Sequence, residues 1–122
     1  MAALARDAKA TPTADGASDT SEFDFAPELA DLVGGYVEKR VAELDVLHTL
    51  TAQGDFERVR WIGHDLKGSG GTYGMPEITR LGGVLAAAAA AQDRPGIERA
   101  ITDLSALLDR ARTHLHAKPP RP

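Results

Sequence analysis

The sequence predicts an all-α protein, an antiparallel up-down-up-down four-helix bundle with a short extra N-terminal helix. Apolar residues recur every three or four positions through most of the chain, which is the helical period, and no stretch alternates as a strand would. The stretches between the periodic segments are short, and short connections make helices antiparallel neighbours. Alanine and leucine dominate while aromatic residues make up 5%, a composition that suits closely packed helices.

Residues that start or stop helices bound each predicted element. A short helix is expected over 27–33, because Pro27 is a favourable first-turn residue and Gly34-Gly35 follows its end. Asp55 is a good N-cap, and Gly74-Met75-Pro76 combines a stop with a start. Four longer helices are therefore expected over 35–52, 56–73, 76–92 and 96–115.

The chain divides into one folded domain and two tails. Residues 1–21 are small and polar with no apolar period, so a disordered N-terminal tail is expected there. Residues 22–116 are expected to form the helical domain, and the proline-rich residues 117–122 a disordered C-terminal tail. One bundle closes its own core, so we expect a monomer.

Charge and composition exclude several classes of function. A net charge of −4 argues against nucleic-acid binding, and the absence of cysteine excludes thiol and zinc-thiolate chemistry. No apolar run approaches the roughly 18 residues that a membrane span needs, and no secretory signal opens the chain. His114 and His116 are two apart, so they make a poor metal pair. We expect a cytoplasmic protein with no metal site and no cofactor.

The stretch "WIGHDLKGSGGTYG", residues 61–74, carries five glycines, four of them within the helix predicted over 56–73 and the fifth at its end. On a helical wheel His64 lies about 150° from the apolar stripe, so it should face water. Lys67 lies one turn further on, within reach along the surface. The apolar stripe on the opposite side consists of Phe56, Val59, Ile62, Leu66 and Tyr73.

The wheel divides the glycines by position. Gly63 and Gly70 point inward, where close helix packing explains them. Gly68 and Gly71 flank His64 on the outer face, although an interior helical glycine costs about 0.8–1 kcal/mol relative to alanine. A bare surface around an exposed histidine indicates that something large approaches its ring.

The stretch "HDLKGSGGTYG" resembles the signature of histidine-containing phosphotransfer (HPt) domains, and the resemblance extends over about 22–116. The signature is a histidine, a leucine two later, Lys-Gly, and a glycine about ten positions after the histidine. Gly63 stands where the family usually has alanine, and Gly70-Gly71 where serine or alanine is more usual. The matching residues here are His64, Leu66, Lys67, Gly68 and Gly74.

The resemblance implies a phosphocarrier in a multistep phosphorelay that is not an enzyme in its own right. His64 would accept a phosphoryl group from the aspartate of a response-regulator receiver domain or a hybrid sensor histidine kinase, and pass it to another receiver. Lys67 would compensate charge on the phosphoryl oxygens, and Gly68 would let the receiver's loops approach. The Mg²⁺ and the acceptor aspartate would belong to the receiver.

Three further residues have two interpretations each. Asp65 is expected to be a solvated charge rather than a base. Arg60 either assists Lys67 and the partner or is solvated. Trp61 is expected to pack partly buried, with partner contact as the alternative. Arg60, Trp61 and Gly71 complete the expected partner surface.

Other functions stay open. The phosphotransfer domain of a sensor kinase also exposes a histidine on a helix, but it usually has proline shortly after that histidine, and an ATP-binding domain downstream. The phosphotransfer domain of a chemotaxis kinase is a second relative. A helical adaptor that binds a receiver or a kinase without being phosphorylated belongs to another class, and it would need neither His64 nor Lys67.

Overall fold

The computed structural model describes Phe23 and residues 25–116, which form a ring of four α-helices and contain no strand. The expected tails, 1–21 and 117–122, lie outside the described residues. In the part that is described, each helix packs along its length against two neighbours and not against the diagonal helix, which confirms the predicted fold class. A 3-10 turn, Pro27–Leu29, leads into α1 (Ala30–Gln53), α2 (Phe56–Ser69), α3 (Pro76–Ala90) and α4 (Arg94–His116).

Helix α1 runs without a break through Gly34-Gly35, so the prediction of a separate helix over 27–33 was wrong beyond its first turn. Val33 and Val37 are buried on either side of the two glycines. Tertiary packing of a buried face contributes more to helix stability than propensity does, so it offsets the cost of two glycines.

Helix α2 ends at Ser69, four residues earlier than the sequence predicted. Residues 70–74 form a turn instead, in which the Met75 N–H donates to the Gly70 carbonyl at 2.9 Å. Gly74 has a φ of 74°, in the left-handed region that favours glycine, and Pro76 then begins α3. This turn brings α3 back along α2.

The other connections use caps that the sequence signals. Gly54 adopts φ 74° at the end of α1, and the Asp55 side chain accepts a hydrogen bond from the Arg58 N–H at 3.3 Å. Asp93 accepts one from the Gly96 N–H at 3.1 Å, and α4 begins at Arg94.

All four helices contribute to one apolar core, whose largest fully buried members include Val37, Leu47, Leu66, Ile78, Leu85, Ile101, Leu104 and Leu108. Over the described residues, no helix is long and apolar enough to cross a membrane.

Candidate functional site

His64 lies in the second half of α2 with its side chain exposed. The opposite side of α2 is buried through Val59, Gly63 and Leu66, which agrees with the helical wheel. The imidazole makes no hydrogen bond or ion pair with another described residue. Both ring nitrogens are therefore open to an incoming molecule.

Lys67 is exposed one turn after His64, on the side of α2 that faces α3. Its Cδ lies 3.8 Å from the point where a Cβ would stand on Gly83, so the aliphatic stem passes over α3. The ammonium has no hydrogen-bond or ion-pair partner in the described part of the chain. The charge of Lys67 is thus available at the surface beside His64.

Gly68 leaves open space next to His64. A Cβ placed on Gly68 would meet no heavy atom within 4 Å, so the fold does not require glycine there. Gly71 is also exposed, but it belongs to the turn after α2, so its predicted place on the helical face does not apply. A Cβ on Gly71 would meet only the Thr79 hydroxyl oxygen, at 3.9 Å.

A reciprocal pair of glycines sets the distance between α2 and α3. A Cβ on Gly63 would lie 2.7 Å from the backbone nitrogen of Ala86, and a Cβ on Gly82 would lie 2.5 Å from that of Lys67. Such separations are far below van der Waals contact, so only glycine permits this approach. Gly82 supports the very turn of α2 that carries His64 and Lys67.

Trp61 is 65% exposed, so the expectation of partial burial was wrong. It lies about 60° from His64 around the helix, away from the buried side. Its indole N–H donates to Glu57 Oε2 at 2.9 Å, and Arg60 Nη2 donates to the same oxygen at 2.7 Å. Hydrogen bonds from Arg60 and then Trp61 lower the pKa of Glu57. Glu57 therefore compensates the charge of Arg60.

Asp65 forms an ion pair with Arg40 of α1, so the expectation of a merely solvated charge was wrong. Arg40 Nη2 donates to Asp65 Oδ2 at 2.8 Å, and the arginine side chain is only 3% exposed. Burial lowers the pKa of Arg40, but hydrogen bonds to Glu43 and Asp65 raise it by more, so the net shift is upward. The guanidinium is charged, and it lies next to the residue that follows His64.

Arg40 is the residue near the site that sequence reasoning missed. Its Nη1 donates to Glu43 Oε1 at 2.6 Å, and Nη2 also donates to Ser69 Oγ at 3.2 Å. The Tyr36 hydroxyl lies 2.6 Å from that Ser69 oxygen, and the guanidinium carbon lies 4.8 Å from the centre of the Tyr36 ring. Its burial could have been predicted from the helical period, because Arg40 falls on the same face of α1 as Val33, Val37 and Leu47.

No group of His, Asp or Glu side chains among the described residues could hold a metal ion. The described residues around His64 are instead the unpaired cation of Lys67, the Arg60 cation paired with Glu57, open backbone at Gly68 and the exposed indole of Trp61. This arrangement leaves the imidazole exposed, with a cation and open space beside it.

Comparison with known proteins gives one match. A family model described as Hpt domain matches residues 26–114, which is most of the chain. No curated protein and no solved structure is significantly similar to the chain.

Proposed function

Because the chain belongs to the Hpt domain family, whose members transfer phosphoryl groups through histidine, we propose that His64 relays a phosphoryl group between receiver-domain aspartates. The observation that carries this proposal is the exposed imidazole of His64, which has no partner among the described residues and has Lys67 and Gly68 one turn further along α2. A response-regulator receiver and a hybrid sensor histidine kinase would be the partners. The chain would act as a monomeric cytoplasmic carrier, not as an enzyme in its own right.

The proposed step is a displacement at phosphorus. The lone pair of one imidazole nitrogen forms a P–N bond while the P–O bond to the receiver's aspartate breaks, and the carboxylate leaves. A neutral imidazole is a good nucleophile near neutral pH. Such transfer depends on in-line placement and charge compensation rather than on covalent help from neighbours. Passing the group to a second aspartate reverses these bond changes.

The proposal is tested by incubating the chain with a receiver domain carrying ³²P on its aspartate. Label should move to the chain and should be lost in acid but kept in alkali, as a phosphoramidate bond requires and an acyl phosphate does not. Absence of transfer from a panel of receivers, in buffer containing Mg²⁺, would contradict the proposal.

Lys67→Ala should slow transfer from the receiver about tenfold, because one exposed cation near the phosphoryl oxygens is lost. Lys67→Arg should keep most of the rate, since it keeps the charge. Arg99→Ala is the matched control, because it removes an exposed cation from α4, a helix that does not pack alongside α2 over the described residues. Equal rates for Lys67→Ala and Arg99→Ala would refute the role of Lys67. Stopped-flow or quench measurements of the labelled chain give these rates.

Gly68→Leu should slow transfer from a receiver at least tenfold without unfolding the chain. Gly68 is exposed and a Cβ there meets no heavy atom within 4 Å, so the added side chain should obstruct a docking partner and not the bundle. The small donor phosphoramidate needs no docking surface, and its reaction with the chain should keep the wild-type rate. If both donors were slowed alike, Gly68 would act on the histidine itself and not on access.

A further inference from the structure

The ion pair between Arg40 and Asp65 lies directly beside the proposed phosphoryl site. Asp65 follows His64 in α2, so its Cα is about 3.8 Å away along the chain and its side chain points about 100° around the helix. Arg40 reaches this carboxylate from α1 at 2.8 Å. We propose that Arg40 is a positioning residue for phosphorylation of His64, which holds the Asp65 carboxylate against α1 and compensates its negative charge.

The charge of Asp65 matters because the incoming phosphoryl group is itself negative. An uncompensated carboxylate one residue from His64 would repel the donor as it approaches the ring. Asp65 is 61% exposed, so water screens part of this repulsion. For a carboxylate and a phosphoryl group whose charges are roughly 8 Å apart at a protein surface, Coulomb's law gives an effect on the rate of about three- to tenfold. Arg40 offsets this repulsion between Asp65 and the donor. Because its side chain lies inside the bundle, it does not obstruct the docking face.

Residues other than Asp65 also hold the Arg40 guanidinium in place. Glu43 binds one of its terminal nitrogens, and Ser69 shares the other with Asp65. Tyr36 holds that serine hydroxyl and also lies beneath the guanidinium. Asp65 therefore binds to a cation of fixed direction, and its carboxylate is drawn toward α1.

A purely structural role would not need an arginine. A buried ion pair is often no more stabilising than apolar side chains of similar volume. Arg40 also has a cost that an apolar residue would avoid, because its buried Nε has no hydrogen-bond partner within the described structure. Compensating the negative charge of the Asp65 carboxylate, by contrast, requires a positive charge at position 40.

The test uses phosphoramidate on the full chain, which makes it independent of any receiver although the inference rests on the proposed function. An imidazole nitrogen of His64 forms the new P–N bond while the donor's P–N bond breaks and ammonia leaves. The reaction is followed by intact mass and by peptide mapping of His64. The variants are Arg40→Met, which fills the buried volume without charge, Asp65→Asn, and the two combined.

Arg40→Met should react about threefold to tenfold more slowly than the wild type, and the double variant should recover the wild-type rate. Asp65→Asn alone should react at least as fast as the wild type. Raising the salt concentration should reduce the deficit of Arg40→Met, since screening weakens the repulsion. A thermal melt by circular dichroism accompanies each variant, and Asp65→Asn keeps the test decisive if Arg40→Met does not fold.

Three results would overturn the inference. If Arg40→Met reacts at the wild-type rate, Arg40 has no effect on His64. If the double variant is as slow as Arg40→Met, or Asp65→Asn is itself slowed tenfold, Arg40 or Asp65 acts by supporting the fold and not by charge. A chain that reacts with phosphoramidate as expected but takes no label from receivers would contradict the proposed function while leaving this inference in place.

Discussion

His64→Gln is expected to abolish labelling of the chain by a phosphorylated receiver, while the bundle stays folded. The imidazole is the group that would form the P–N bond, and the glutamine amide is not a nucleophile toward phosphorus at neutral pH. The fold should not respond, because the side chain is exposed and has no partner among the described residues. Surface substitutions of this kind usually change stability by less than about 0.5 kcal/mol.

His48→Gln is the matched control for this prediction. His48 is also an exposed helical histidine, but it lies on α1 and not on the helix that carries His64. It should be labelled by a receiver at the wild-type rate. Equal label on His64→Gln and His48→Gln would show that another nucleophile accepts the group, and it would remove His64 from the mechanism. Thermal melts of both variants separate a loss of chemistry from a loss of structure.

The exposed side of the site could be predicted from the sequence, because exposure on a single helix follows from the period of that helix. The wheel places His64 and Gly68 outward and Gly63 inward, and the structure agrees. The ion pair of Arg40 with Asp65 could not be predicted in this way, since the two residues are 25 positions apart on different helices. A helical wheel gives a direction, but it does not say which side chain of a neighbouring helix lies there.

Errors in the helix boundaries share a physical cause. Glycine weakens a helix locally, so Gly34-Gly35 was interpreted as a boundary, but the buried residues around it hold α1 together. The opposite error occurred at residues 70–73, where the apolar period continues through Tyr73 although the helix has ended. Tyr73 instead stacks on Tyr36 with ring centres 4.1 Å apart. Tertiary contacts determine where the helix continues or ends in both places. The local sequence pattern does not contain these contacts.

Gly82→Ala is expected to destabilise the bundle by about 2 kcal/mol, even though alanine is the better helix former. The added methyl group would lie 2.5 Å from the Lys67 nitrogen, 2.7 Å from the Gly63 oxygen and 2.8 Å from the Leu66 Cβ. Two of these are backbone atoms, which cannot rotate away as the end of a side chain can, so α2 and α3 must separate. Overpacking of this kind costs about 1–3 kcal/mol and exceeds the propensity gain of up to about 1 kcal/mol. The melting temperature should fall by about 10 °C for a domain of this size.

Gly35→Ala makes the same substitution where the structure is open, so it should have the opposite sign. A Cβ on Gly35 meets nothing within 4 Å, and the gain in helix propensity should raise the melting temperature by a few degrees, at about 0.5–1 kcal/mol. A stabilised Gly82→Ala would mean that the two helices separate without cost, and that Gly82 does not set their distance.

Because the Lys67 nitrogen is the atom nearest to the new methyl group, Gly82→Ala should also slow phosphorylation of His64 at temperatures well below its melting point. Gly35→Ala should leave that rate unchanged, so the pair connects the packing of α2 on α3 to the placement of the histidine.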